Sequence, residues 1–312
     1  MSDNEIRFLM VDRIVEYQGR YLIYIFGNSK MDNALKNRKN NEYICLKQIF
    51  TDAQIIAVRQ ISDNIFKIID TDGNQYKTTF TEYQKIFNKE NNSSNLTSSK
   101  QLGIRKESND DKFVTSFLTK ITGMNFIGDD EGVDITKKLL GYNCTKGFDL
   151  DVFDSKSRIV YEFLRRKNSK INNLTAHPMR YAWNNNSNPD NRRKFISLWD
   201  FCQHFNLKLF LVSYSTEDQF DSDIIKLIIP DSIDTKKGIL GDTEYCIKKK
   251  ELSSLAKSPN PNEFLNKNSF PSIHLSAQQL ITNNYKNNYK NNYKAILQEW
   301  STPLLKGYRY NK

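Results

Sequence analysis

Gly147-Phe-Asp-Leu-Asp-Val-Phe-Asp-Ser-Lys-Ser-Arg-Ile-Val-Tyr-Glu-Phe-Leu-Arg-Arg166 is the stretch on which the fold turns. GFDLDVF (147–153) reads as a strand, Asp154-Ser155-Lys156-Ser157 as a turn, and RIVYEFLRR (158–166) as a second strand. Strand side chains alternate, so Asp149 and Asp151 are expected on one face of the first strand, with Glu162, Leu164 and Arg166 sharing a face of the second. A short turn predicts an antiparallel hairpin, which brings one aspartate across from Glu162. Val160, Tyr161, Phe163 and Leu164 put apolar residues on both faces, so the second strand is expected inside its sheet. Two acids side by side on adjacent strands repel, and a hard divalent cation with oxygen ligands would hold them together.

The segments around this hairpin extend the pattern. KFVTSFLTKITGMNF begins as an amphipathic helix at 112, with Phe113, Phe117, Leu118 and Ile121 on one face. GDDEG follows, and its Glu131 is a further candidate acid. After the hairpin comes a polar loop over 167–190, then a helix over 191–205 with Phe195, Leu198, Trp199 and Cys202 on its apolar side and Asp190 or Asn191 as its cap. LKLFLVSY (207–214) and DIIKLII (223–229) read as strands.

This order of helix, strand, strand, helix, strand, over roughly a third of the chain, resembles the core of the PD-(D/E)xK nuclease superfamily. The resemblance implies an α/β fold with a restriction-endonuclease-like core, a mixed sheet flanked by helices. It implies that Asp149 or Asp151 and Glu162 hold Mg2+, with Mn2+ as a substitute. The family's lysine, two residues after the second acid, falls on Leu164, a departure from the pattern. Arg166, Lys167 and Lys194 are the candidates to supply the missing positive charge. An arginine there would stabilise charge rather than accept a proton, because it is always protonated. The implied activity is hydrolysis of double-stranded DNA at a short sequence, as in type II restriction enzymes, by a homodimer. A catalytically degenerate DNA-binding protein and a repair or RNA-processing nuclease of the same fold are the alternatives.

The loop after the second strand suits a nucleic acid. Arg165, Lys170, His177, Arg180, Arg192 and Arg193 fall in or beside it among many asparagines, the residue types that contact phosphates and base edges. The whole chain agrees in sign: 46 Lys+Arg against 36 Asp+Glu among 312 residues give a net charge of +10, which fits a polyanion partner. Residues 1–88 read as a small β-rich accessory domain, a barrel or curled sheet that could read DNA. Gln18-Gly19 and Asp72-Gly73-Asn74 are its turns, and helical pieces are expected near 48–58 and 81–88. Residues 89–111 are a Ser/Asn-rich linker, and 112–312 the nuclease-like domain with a polar tail that repeats Asn-Asn-Tyr-Lys three times over 283–294.

Other chemistries lack their residues. His177, His204 and His274 form no HExxH pattern, and Cys45, Cys144, Cys202 and Cys246 form no CxxC pair, which argues against a zinc hydrolase and a disulfide framework. No Gly-rich phosphate loop supports a nucleotide cofactor, and no GxSxG an esterase. No apolar run is long enough to span a bilayer, and the acidic start lacks an apolar signal core, so a cytoplasmic protein without a membrane partner is expected.

Overall fold

The computed structural model describes residues 6–28, 31, 33–91, 112–123, 131–140, 147–166, 189–215 and 223–269. The chain is mixed α/β, with one ten-stranded mixed sheet flanked by helices. Its strands are β1 (Phe8–Tyr17), β2 (Arg20–Asn28), β3 (Gln54–Ser62), β4 (Ile65–Ile69), β5 (Gln75–Thr79), β6 (Phe148–Asp154), β7 (Ile159–Arg166), β8 (Lys208–Ser215), β9 (Ile224–Asp234) and β10 (Gly238–Lys248). Among the described residues the α-helices are α1 (Asn33–Ile49), α2 (Phe80–Glu90), α3 (Lys112–Thr122), α4 (Glu131–Leu140), α5 (Pro189–His204), α6 (Leu252–Lys257) and α7 (Pro261–Asn268). The spatial strand order is β10-β9-β8-β7-β6-β1-β2-β3-β4-β5.

Local chemistry makes the turns. Gln18 and Gly19 both take positive φ, 52° and 76°, so a two-residue loop joins β1 to antiparallel β2 with the twist that flanking strands need. The hairpin read around Gly73 forms as β4 and β5. Two crossovers join parallel neighbours: α1 carries the chain from β2 to parallel β3, and α5 carries it from β7 to parallel β8.

Helices cover both faces. Leu46 and Phe50, at and just beyond the end of α1, and Leu198, Phe201 and Cys202 of α5 pack on Leu9, Val11, Ile14, Phe148, Leu150 and Val160 in the central core. On the other face α3 and α6 pack against β7–β10, and α2 and α4 against β1–β4. Phe117 and Ile121 are buried there, as the helical spacing from 112 predicts.

Three expectations need correction. Residues 1–88 do not close a barrel or sheet of their own, because β1 pairs with β6 as well as β2 and one sheet runs through both parts of the chain. The physical reason is edge exposure: Leu9, Val11 and Ile14 are fully buried, and an unpaired β1 would leave an apolar strand edge in water. The helix expected near 48–58 ends at Ile49, and Gln54–Ser62 is a strand, since its β-branched run pairs in register with β2. The α5 helix starts at Pro189, so Asp190 and Asn191 stand in its first turn rather than before it. The proposed linker begins within α2, which runs to Glu90, and the rest of it, from 92 to 111, lies outside the described residues, as do the Asn-Asn-Tyr-Lys repeats.

Candidate active site

The hairpin over 147–166 forms, with its turn at 155–158, one residue later than read, because Asp154 still pairs with Ile159 and Arg158 takes a positive φ; β7 is an interior strand between antiparallel β6 and parallel β8. Its ladder is short. Val152 pairs with Tyr161, Phe153 with Val160 and Asp154 with Ile159, and the pairing stops there. The next rung is replaced by a side chain: the Phe163 amide donates to Asp151 Oδ2 at 2.6 Å. Beside this point the register of β6 against β1 slips, since Val11 faces Leu150 but Leu9 faces Phe153. β6 therefore carries one extra residue at Asp151-Val152, a bulge that re-aims side chains where pairing ends.

Lys194, from the second turn of α5, enters this gap. Its Nζ lies 3.1 Å from Asp149 Oδ1 and 2.6 Å from Glu162 Oε1. Exposure is graded across the cluster: Glu162 is 2% exposed, whereas Lys194 and Asp149 are 37% and 38% exposed. The Glu162 side chain is therefore the most deeply buried of the three, and the stem of Lys194 carries its ammonium inward to it. Burial first, and the Asp151 charge second, push the Glu162 carboxyl up to about 8 against the pull of Lys194. Burial pulls the Lys194 ammonium down, but the charges of Asp149, Glu162 and Asp151 outweigh it and hold the group charged, well above its ordinary value. Among the described residues, Glu162 Oε2 is buried without a hydrogen-bond partner. Such an atom in an interior strand is costly unless something binds it.

Asp149, Asp151 and Glu162 are carboxylates, the ligand type that hard divalent cations take. Among the described residues no three His, Cys, Asp or Glu side chains stand as a ready-made metal cluster, and it is the Lys194 ammonium that bridges Asp149 and Glu162.

Of the three cations offered in place of the family's lysine, the structure brings Lys194 to the acids. Leu164 packs against the central core instead. Arg166 ends β7 beside Ser215 of β8. Arg165 is exposed, and Arg192 and Arg193 lie in the first turns of α5. Lys167, Lys170, His177 and Arg180 lie outside the described residues. Glu131 is the first residue of α4, which packs with α2 on the β1–β4 part of the sheet.

One neighbour escaped the sequence reading. Arg13 of β1 is 3% exposed, donates from Nε to Asn91 Oδ1 at 2.7 Å, and lies over the backbone of Gly147. A Cβ on Gly147 would overlap the Arg13 guanidinium, so a side chain where β6 begins must displace that group. Burial lowers the Arg13 guanidinium to about 10, partly offset by the charges of Tyr24 and Asp149. The signal was the charged pair Asp12-Arg13 inside the apolar run FLMVDRIV, since a charge in a buried strand needs a partner. Compared with known proteins, the chain matches no protein-family model, no curated protein and no solved structure.

Proposed function

We propose that the chain is a metal-dependent endonuclease that hydrolyses phosphodiester bonds of double-stranded DNA, on a core of the restriction-endonuclease type. The observation that carries this reading is Lys194 bonded to both Asp149 and Glu162 where β6 and β7 part. The lysine that the motif lacks at Leu164 arrives from the following helix, and its charge reaches the same acids. Asp149, Asp151 and Glu162 would hold Mg2+, or Mn2+ in its place. The cation would supply Lewis-acid stabilisation of the phosphoryl group. The chain's own residues do the rest. Glu162 accepts from Lys194 at Oε1 and keeps Oε2 for binding. Lys194, held charged and oriented by both acids, offsets negative charge that grows on the phosphate oxygens. The basic segment over 165–194 and the net charge of +10 favour a duplex partner.

Incubation of the full chain with plasmid and phage DNA in Mg2+, with single strands and RNA alongside, tests this. The expected result is cutting of duplex DNA that stops with EDTA and with Glu162→Ala. Salt-sensitive binding without cutting would make the protein a binder on a nuclease-like frame, and cutting confined to RNA or single strands would change the substrate. A double-strand break at a short site would further require a second site, from a second copy of the chain or a second binding event.

A further inference from the structure

The fold repeats itself. β1-β2-α1-β3-β4-β5-α2 and β6-β7-α5-β8-β9-β10-α6 follow the same order with the same pairings: antiparallel hairpin, parallel crossover, antiparallel meander, helix. The halves meet at antiparallel β1 and β6, and the junction is symmetric. Val11 faces Leu150 at its centre, with Leu9 facing Phe153 on one side and Ile14 facing Phe148 on the other. Each strand bulges once, β1 between Val11 and Ile14 and β6 between Leu150 and Phe153.

Site residues follow the same relation. Asp12 sits in the first bulge and accepts the Phe26 amide at 2.7 Å, as Asp151 in the second accepts the Phe163 amide at 2.6 Å. Phe50 and Phe205 each follow their crossover helix, and their rings meet at 4.8 Å. Lys39 lies eleven residues before the first and Lys194 eleven before the second, and each is ion-paired to an aspartate of its own half. The lysine and the bulge aspartate are therefore present twice. The other two acids are not. Two residues before the bulge aspartate, Met10 stands where the second half has Asp149. One residue before the phenylalanine that donates to that aspartate, Ile25 stands where the second half has Glu162. The first half is also closed: Lys39 is 6% exposed against 37% for Lys194, and Glu42 and Arg38 complete a buried ion-pair network around it.

We infer that the chain is a built-in pseudo-dimer with one complete acid–lysine site, so that each chain binds divalent cation at its second half only and hydrolyses one strand of a duplex at a time. This rests on the nuclease reading. The cation site would be formed by Asp149, Asp151 and Glu162. Asp12 and Lys39 keep the fold of the first half without its chemistry.

Two measurements on the full chain test the inference. Mn2+ titration followed by electron paramagnetic resonance should show binding that is lost in Glu162→Gln and retained in Asp12→Asn. Supercoiled plasmid in Mg2+ should accumulate as open circle before linear product appears, at protein concentrations where sedimentation shows a monomer. Binding that survives Glu162→Gln but is lost in Asp12→Asn, or direct conversion to linear DNA by the monomer, would overturn the inference while leaving a nuclease. Neither Mn2+ binding nor cutting would remove the nuclease reading and this inference with it.

Discussion

Glu162 and Lys194 are the pair on which the proposed chemistry depends, and each has a consequence for stability. Glu162 has a folded value raised from about 4.5 to about 8, so between those pH values the folded chain holds a proton that the unfolded chain has released. Stability therefore falls as pH rises through this window. Lys194 is also raised, but its contribution is lost only above its unfolded value of 10.5, outside the window. Glu162→Gln cannot ionise, so in EDTA it should be the more stable protein near pH 8, by ~1–3 kcal/mol, with the difference vanishing towards pH 4.5. Urea unfolding across pH checks this, and a difference that stays flat with pH would refute it. Lys194→Ala removes the cation from two acids. It should cost ~1 kcal/mol of stability at neutral pH and at least ~10²-fold in duplex hydrolysis, read separately by denaturation and by single-turnover rates. The acids were legible because alternation on a strand states which side chains share a face. Lys194 was legible only as one cation among several. Its helix follows Arg166, the last residue of β7, after an intervening polar stretch of sequence whose length sets no side-chain direction.

At the scale of elements, the start of β6 is held by β1. Gly147 lies under the Arg13 guanidinium, which is itself bound to Asn91 at the end of α2 and cannot swing away without breaking that hydrogen bond. Gly147→Ala should therefore cost ~1–3 kcal/mol through overpacking. Arg13→Ala combined with Gly147→Ala should cost less than the two single changes added together, because the clash disappears with the guanidinium. Denaturant midpoints of the four proteins check this, and strict additivity would contradict it. The hairpins were readable because turn residues and alternation agree over short distances, as at Gln18-Gly19 and Asp72-Gly73-Asn74. α1 was not. Its buried side includes Arg38, Lys39 and Glu42, ion-paired with one another and with Asp12, so the sequence shows polar residues where an apolar stripe would mark a helix. The apolar run Ile55-Ile56-Ala57-Val58 fits a buried strand or a helix by periodicity alone, and pairing with β2 decides for the strand.

For the whole molecule, the β1–β6 ladder makes one sheet of two similar halves. Leu9 of β1 is fully buried in a core that also holds Phe148, Phe153 and Phe201 from the second half. Leu9→Ala should lower stability by ~2–5 kcal/mol. It should shift the transitions seen by tryptophan fluorescence, whose reporters Trp183, Trp199 and Trp300 all follow β7 in the sequence, and by far-ultraviolet circular dichroism together, and separation of the two would show halves that unfold alone. The repeat behind this sheet is hidden in the sequence, because corresponding positions differ in type: Met10 against Asp149, Ile25 against Glu162, Arg13 against Val152. Only pairing partners and bulges expose it, and those are long-range facts. The most direct test of the account is the single-turnover rate of duplex hydrolysis in Mg2+ by the wild type beside Glu162→Ala. The expected result is a metal-dependent rate that falls by ~10²-fold or more in the variant. An unchanged rate, or no hydrolysis of any duplex by the wild type, would contradict it.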